Sequence, residues 1–248
     1  MIPILIFFVI HWYGSLFFQT FFLHRYAAHR MFTMTAKWER FFYLLLYSSQ
    51  GSSYLTPRAY ATLHRMHHAY SDTEKDPHSP HYHENIFKMM WRTKDIYNDL
   101  LNKRIPLEPE FDIVYPEWKA VDDLGDKWYS RLGWGTLYTL IYIFAFFYLG
   151  MPWPFFFLLP IHWLMGPFHG AIVNWSGHKY GYSNFDNHDK SKNSLIFDVV
   201  MMGELFQNNH HKLPNRANFG AKWYEFDPTF SVIKMLHWLK IIRLKPIN

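Results

Sequence analysis

The stretch LGWGTLYTLIYIFAFFYLGMPWPFFFLLPIHWLMGPFHGAIVNWSGH, residues 132–178, contains no Asp, Glu, Lys or Arg. A second uncharged stretch covers residues 1–24. A helix that spans a bilayer needs about 20 mostly apolar residues, whereas a core helix of a soluble protein keeps a polar face. Neither stretch has such a polar face, so both indicate helices that lie in lipid.

The boundaries of these helices follow from turn signals and interruptions. Residues 150–154, Gly-Met-Pro-Trp-Pro, divide the long stretch, so we expect spans at residues 132–149 and 155–173. We expect another span at residues 2–23, which lacks the basic start and the cleavage site of a signal peptide and is interpreted as an anchor. Residues 39–60 are apolar but interrupted by serines and charges, which predicts an interfacial helix rather than a crossing.

The charged residues indicate the topology. All 25 Lys and Arg and all 20 acids lie outside the two uncharged stretches. By the positive-inside rule, residues 64–130 and 178–248 form a cap that faces the cytoplasm, at the inner membrane if the source is bacterial. The net charge of +5 suits anionic headgroups, and no nucleic-acid motif accompanies it. We therefore predict one domain, residues 1–248, of an all-α multi-pass integral membrane protein with about three transmembrane helices, interfacial amphipathic helices and this cytosolic histidine-rich cap.

The chemistry of the chain is indicated by its 16 histidines and its lack of cysteine. Without thiols there is no iron–sulfur cluster, haem thiolate or Cys-ligated zinc. Histidines spaced i, i+3 and i+4 share one face of a helix. Eight histidines fall in four groups next to the predicted spans, namely His24 and His29, then His64, His67 and His68, then His178, and finally His210 and His211.

Eight imidazoles exceed the needs of one four- to six-coordinate ion, so two metal ions are predicted. A regular helix would point His24 and His29 about 140° apart, which suggests that they serve different ions. Hydrolytic two-metal sites and soluble di-iron bundles mix in carboxylates, and none lies within these groups. A site of nearly pure imidazole favours redox-active iron that reacts with O2.

These groups resemble the motifs of a known family, the integral-membrane fatty acid desaturases, particularly the acyl-CoA Δ9 (stearoyl-CoA) type and its bacterial members. The resemblance covers residues from about 11 to 227. It is carried by the first box at residues 24–30, the second box with its trailing Asp-Pro-His at residues 64–78, the Asn-Trp-Ser-Gly-His run at residues 174–178, and the third box at residues 203–211.

The resemblance implies an O2-dependent enzyme with two Fe2+ ions that introduces a cis double bond into a fatty acyl thioester, at Δ9 of a saturated acyl-CoA. It implies that the eight histidines hold the irons and that Asn174 holds an iron-bound water. It also implies substrates that are acyl-CoA, another acyl thioester or a lipid, membrane lipid as surroundings, and a separate electron donor of ferredoxin, rubredoxin or cytochrome b5 type. Gln50 corresponds to a glutamine that lines the acyl tunnel in the family.

Several further residues are assigned roles next to the irons. Asp76 and Glu204 are candidates for carboxylates that fix the tautomers of the ligating histidines. His169 is a candidate for the wall of the acyl tunnel. Gln207 stands where Δ9 members have a histidine ligand, so this position is either a weak oxygen ligand or is replaced by another side chain.

Two other functions remain open from the sequence. A hydroxylase or ketolase of the same superfamily would use the same histidines. A membrane metal sensor or transporter, which is not an enzyme, would place ionisable residues along an ion path inside the spans. The candidates for such a path are His11, His162 and His169.

Overall fold

The computed structural model describes residues 2–246, which are mainly helical. The helices are α1 (Ile2–Phe18), α2 (Ala36–Gln50), α3 (Pro57–Tyr70), α4 (Ile86–Leu101), α5 (Lys119–Asp126), α6 (Trp128–Tyr148), α7 (Leu159–Trp163), α8 (Met165–Lys179), α9 (Gln207–Lys212) and α10 (Pro228–Trp238). A π-helix, Gln19–Ala28, continues α1, and the 3-10 segments Gly51–Ser53 and Trp153–Leu158 follow α2 and precede α7. Strands β1 (Phe32–Met34) and β2 (Ile242–Leu244) pair antiparallel.

One helix is by itself long and apolar enough to cross a bilayer among residues 2–246. It is the 27-residue run Ile2–Ala28, five residues longer at its end than the span that we predicted. Helix α6 is about 31 Å long and starts before the uncharged stretch, so that it includes Arg131. Large apolar side chains such as Phe144 and Phe147 are exposed on its surface. The apolar helices agree with the predicted class, and the predicted number of three crossings stays a prediction.

The predicted span at residues 155–173 is broken in the structure. Its two halves, Trp153–Trp163 and Met165–Lys179, meet at an angle of 77°. Pro167 lies in the first turn of α8, and a proline in a continuous helix lacks the amide hydrogen and clashes with the carbonyl of residue i−4. The helix in this predicted span is therefore bent, and its crossing of the membrane stays a prediction.

The polar groups that the bend releases are bound by the segment after α2. Ser53 Oγ accepts a hydrogen bond from the Gly166 amide at 3.0 Å, and Ser52 Oγ donates to the Trp163 carbonyl at 2.9 Å. Free backbone groups at membrane depth must be satisfied by neighbouring protein. The serines that interrupt the apolar sequence thus stabilise a broken helix.

The single interfacial helix predicted for residues 39–60 is two helices with a turn between them. Helix α2 ends at Gln50, and Gly51 takes φ of +51°, where a Cβ would lie 1.8 Å from the hydroxyl of Tyr138. Pro57 then occupies the first turn of α3, a position that suits proline. Among residues 223–243, where Trp, Phe, Ile and Leu alternate with Lys, the structure forms a helix only in α10, and Ile242 and Arg243 belong to β2.

The main core lies beside the π-helix. Phe21, Phe22 and Leu23 are fully buried together with side chains from α2, α5 and α10 and from the loops and strands. Arg25 is also fully buried and donates to Asp227 at 2.8 Å. The first histidine box is therefore fixed to the C-terminal part of the chain, both by this ion pair and by the β1–β2 pairing.

Candidate metal centre

The structure brings the eight predicted histidines together into two neighbouring groups. Their side chains come from the π-helix and from α3, α8 and α9. The five-histidine group consists of His24, His29, His64, His68 and His210, and the three-histidine group consists of His67, His178 and His211. Within each group the ligand atoms lie within 4.8 Å of one another.

The π-helix decides how the first box is arranged. The amide of His29 donates to the carbonyl of His24 at 3.1 Å, an i→i+5 hydrogen bond that places residues five apart above each other. The two imidazole rings consequently lie 5.0 Å apart in the same group. The expectation that His24 and His29 serve different ions assumed a regular α-helix, and the structure differs from it for this reason.

The spacing of the ring nitrogens fits metal coordination. The Nε2 atoms of neighbouring rings lie 2.9 Å apart for His24 and His210, 2.8 Å for His29 and His64, and 3.0 Å for His68 and His210. Metal–nitrogen bonds of about 2.1 Å put neighbouring ligands about 3.0 Å apart at right angles and about 3.4 Å apart at tetrahedral angles. The observed spacings match ligands at right angles more closely than ligands at tetrahedral angles.

Carboxylates bind four of these imidazoles on the side of the ring that faces away from the group. Each carboxylate binds Nδ1 and leaves Nε2 to face its group. The pairs are His24 with Glu204 at 2.7 Å, His67 with Asp76 at 2.9 Å, His178 with Asp72 at 2.9 Å and His211 with Asp189 at 2.6 Å. Such carboxylate–histidine pairs are characteristic of metal sites, because they fix the tautomer and make the ligand nitrogen more basic.

Asp76 and Glu204 thus occupy the positions that we predicted for them, although their effect on a metal stays a prediction. Asp72 and Asp189 were missed. Asp72 lies four residues before Asp76 in the same loop, and its backbone amide donates to Asp76 at 2.8 Å, so its proximity to the second box was a usable signal. Asp189 lies 22 residues before its partner His211, and no sequence pattern connects the two.

The electrostatics keep most ring nitrogens free to bind a cation. Burial, with the neighbouring imidazoles, holds the pKa of His29, His64, His68 and His210 well below the usual value. Burial also lowers the pKa of His67, but the carboxylate of Asp76 outweighs it and the net pKa is raised. Burial raises the pKa of Asp72, but His178 outweighs it and lowers the pKa to about 2. These four members of the five-histidine group are therefore neutral ligands, and the three-histidine group is backed by negative charge.

One imidazole nitrogen of the three-histidine group is left free by the surrounding protein. Nε2 of His178 is buried and, within the described part of the chain, has no hydrogen-bond partner. An unpaired buried polar atom in a native protein calls for an explanation such as an ion or water. The donor atoms of both groups therefore fit two metal ions.

A cavity of about 540 Å³ reaches the centre, a volume within the range of roughly 300–1,000 Å³ that ligand pockets span. Its wall includes His24 and His64 of the five-histidine group and, beside them, Asn174 and Gln207. The rest of the wall is mainly apolar and comes from α1, α3, α4 and α8. The cavity can therefore hold a long apolar chain against the candidate metal centre.

The remaining predicted site residues do not all line this cavity. His169 lines the cavity, and its place in an acyl tunnel stays a prediction, whereas Gln50 is absent from the wall that residues 2–246 define. Gln50 Oε1 instead accepts from the Leu55 amide at 3.0 Å and so stabilises the turn between α2 and α3. The amide nitrogen of Gln207 donates to the Glu204 carbonyl at 2.6 Å, which leaves its oxygen as the free end.

The comparisons with known proteins agree with this geometry. A family model described as fatty acid desaturase matches residues 2–235. The chain is 30% identical to the Delta-9 desaturase-like 2 protein of Arabidopsis thaliana, covering 86% of this chain and 67% of that protein. It is 30% identical to the Acyl-CoA 5-desaturase AL21 of Anemone leveillei (87% and 63%) and 28% identical to the sn-1 stearoyl-lipid 9-desaturase of Anabaena variabilis (87% and 74%). The match thus spans about two thirds to three quarters of these relatives' lengths.

Proposed function

Because the chain belongs to the fatty acid desaturase family, we propose that it is an O2-dependent di-iron acyl desaturase that introduces a cis double bond into a saturated fatty acyl chain. The family makes the protein an oxidoreductase. The observation that carries this proposed reaction is that two imidazole groups lie side by side and that His24 and His64 of the five-histidine group line an apolar cavity of about 540 Å³. The names of the relatives support Δ9 as the position of the double bond.

The proposed ligands of one iron are the members of the five-histidine group, and those of the other iron are the members of the three-histidine group. Two irons bound there supply, with O2 and two external electrons, the oxidising power needed to remove two hydrogens from unactivated methylene carbons. Asn174 and Gln207 lie on the cavity wall beside the histidines. We assign to Asn174 the orientation of a water and to Gln207 a weak oxygen contact.

The other residues of the site prepare it for the substrate. The four carboxylates keep the Nδ1 hydrogens of their histidines and direct the Nε2 lone pairs inward. The apolar wall excludes water and holds the acyl chain along the imidazoles. Both tasks need a rigid frame, which the buried core next to the π-helix provides.

The proposed location is the membrane, with several crossings and the histidine groups on the cytoplasmic face. The apolar run Ile2–Ala28 and the bent pair of helices around Leu164 support this arrangement. The acyl chain would enter from lipid, either as a thioester or as part of a lipid. Among the relatives, one is named for acyl-CoA and another for a stearoyl lipid, so both substrate classes are proposed.

The electrons require a separate donor of ferredoxin, rubredoxin or cytochrome b5 type. Cationic side chains of α3 and α4, among them Arg58, Arg65, Lys88, Arg92 and Lys94, support binding of an acidic carrier or of substrate phosphates. The sequence of 248 residues contains no cysteine for an iron–sulfur centre of its own.

The alternative of a sensor or transporter finds little support in the spans. His11 and His162 lie with their Nδ1 atoms 2.6 Å apart, and His162 Nε2 lies 2.9 Å from the hydroxyl of Tyr142. These groups bond to each other across α1, α7 and α6 and so connect helices.

The proposed function is tested by expressing the chain in a host with a suitable electron donor and profiling its fatty acids. New monounsaturated chains are expected from the wild type and not from His64→Ala, while His188→Ala, which removes an exposed histidine, keeps them. Hydroxy acids in place of alkenes would move the assignment to a hydroxylase. Unchanged lipids, together with bound zinc after anaerobic purification with ample iron, would overturn the proposal.

A further inference from the structure

One polar side chain on the cavity wall, His78, lies outside the two histidine groups but has a ring nitrogen within 4.8 Å of side-chain atoms of His67 and Asp76. The imidazole of His78 is 3% exposed, and among residues 2–246 neither of its ring nitrogens has a hydrogen-bond partner. A neutral imidazole offers one N–H donor and one acceptor nitrogen. Leaving both buried and unpaired is unfavourable, which indicates that this side chain meets a polar group that enters the cavity.

The position of His78 is fixed by its neighbours. Its backbone amide donates to Asp76 at 3.0 Å, and the hydroxyl of Thr93 on α4 donates to the carbonyl of Pro77 at 3.2 Å. The His78 ring lies 4.2 Å from the ring of His67, measured between centroids. His78 therefore lies between α4 and the three-histidine group, on the wall of the cavity.

The wall of the cavity varies in polarity. The part that comes from α4 includes Lys94 and the exposed rings of Phe87 and Trp91, a combination that suits the boundary between lipid and water. Leu164 and Pro167, at the bend between α7 and α8, add an apolar part. A fatty acyl substrate has a polar carbonyl group at one end and a methyl group at the other, so the carbonyl end fits the α4 side, next to His78.

We propose that His78 donates a hydrogen bond to the carbonyl oxygen of the acyl substrate, an assignment that rests on the proposed desaturase function. An ester and a thioester offer the same acceptor, so the assignment covers a phospholipid and an acyl-CoA alike. With the carbonyl held at His78, the path from there to the histidine groups sets how many carbons separate the carboxyl end from the reacting bond. His78 is thus a residue that determines specificity.

The test compares ligands that differ in the carbonyl group alone. The first pair is octadecanoyl-CoA and S-octadecyl-CoA, a thioether. The second pair is a phosphatidylcholine with an octadecanoyl ester at sn-1 and its octadecyl ether analogue. Dissociation constants are measured for the iron-loaded protein in detergent micelles. The wild type is expected to prefer the carbonyl member of one pair by about tenfold, or about 1.4 kcal/mol, and that pair identifies the carrier.

The variants assign this preference to one side chain. His78→Leu and His78→Met, which remove the donor, are expected to reduce the preference to within about twofold. His78→Gln keeps an N–H donor and is expected to restore part of it. The matched control is His169→Leu, which removes another buried imidazole without partners in the described structure from the wall of the same cavity, and it is expected to keep the preference.

The outcomes separate this inference from the proposed function. If His78→Leu and His78→Met retain the tenfold preference, or if the wild type shows none in either pair, the assignment of His78 is wrong even when the wild type produces alkenes. If the wild type produces no alkene in the fatty acid profile, the desaturase function itself fails. A double-bond position that moves in His78→Gln, at unchanged iron content, would support the role in specificity.

Discussion

The carboxylate behind His178 offers the sharpest test of the metal centre. We predict that Asp72→Asn weakens the binding of one iron and not of the other. Asp72 Oδ2 holds His178 Nδ1 at 2.9 Å with the carboxylate 2% exposed, and asparagine removes the negative charge while nearly preserving the shape. The loss of such a carboxylate typically reduces metal affinity 10- to 100-fold.

The structure indicates where in this range the effect should lie. His178 is one of three imidazoles in its group, whereas His24, held by Glu204, is one of five. A ligand that supplies a third of the donors matters more than one that supplies a fifth. We therefore expect about 100-fold weaker binding, or about 2.7 kcal/mol, for Asp72→Asn, and about tenfold for Glu204→Gln.

The assay is iron content per chain, measured by mass spectrometry along a chelator titration, with Mössbauer spectra of 57Fe-loaded protein to distinguish the two ions. Asp72→Asn should lose about one iron at chelator concentrations where the wild type retains two. Asp186→Asn, an exposed aspartate of the loop between α8 and α9, should behave as the wild type. Retention of both irons in Asp72→Asn, or loss of both together, would refute the assignment of His178 to a separate three-histidine site.

Three further predictions concern the cavity, the third box and stability. Gly170→Leu should abolish desaturation of C18 chains at unchanged iron content. A Cβ at Gly170 would meet its nearest atoms at 4.0 Å, so the backbone accepts a side chain there, but the leucine side chain would fill the cavity. Fatty acid profiles and iron content measure the two effects. His210→Ala should lose iron and nearly all activity, whereas Gln207→Ala should keep both irons and lose less, as iron analysis and product yield will show. Asp227→Asn should lower the free energy of unfolding by about 3–5 kcal/mol, because it leaves Arg25 buried without its counter-charge; thermal and denaturant unfolding of the purified protein measure it.

Matched variants serve as controls for these three. Gly133→Leu, at an open helix position, should leave C18 desaturation intact, and equal loss would point to general damage. An equal loss of iron in Gln207→Ala and His210→Ala would make Gln207 a full ligand. Asp123→Asn breaks an exposed ion pair with Lys119 and should change the stability by less than about 1 kcal/mol. Similar melting temperatures for Asp123→Asn and Asp227→Asn would contradict the buried-pair argument.

The spacing of the second box shows what local sequence can predict. His64, His67 and His68 lie on one helix, α3, where an i, i+3, i+4 pattern fixes their common face. The same reasoning failed for His24 and His29, because the hydrogen-bonding pattern changes from i→i+4 to i→i+5. A π-helix depends on the packing around it, here the buried core and the Arg25–Asp227 pair, and spacing alone does not reveal it.

The breaks in the apolar segments show the same limit. Pro167 and Gly51 lie at these breaks, but the angle of 77° is accompanied by contacts of Ser52 and Ser53 with the backbone of a helix more than 100 residues later. In the sequence these serines were interpreted as reasons against a crossing. Their actual partners are tertiary, and this is why the helix boundaries were predicted less well than the helical class.

The sequence by itself determined the apolar helices and the eight histidines with their chemistry, because composition and short spacing act locally. Only the tertiary structure decided how the imidazoles divide into groups of five and three, which carboxylates hold them, and where Gln50 and His78 lie. Asp189 and His211 are 22 residues apart in the chain and 2.6 Å apart in space. Contacts of this kind depend on how the helices pack against each other, and no local pattern encodes them.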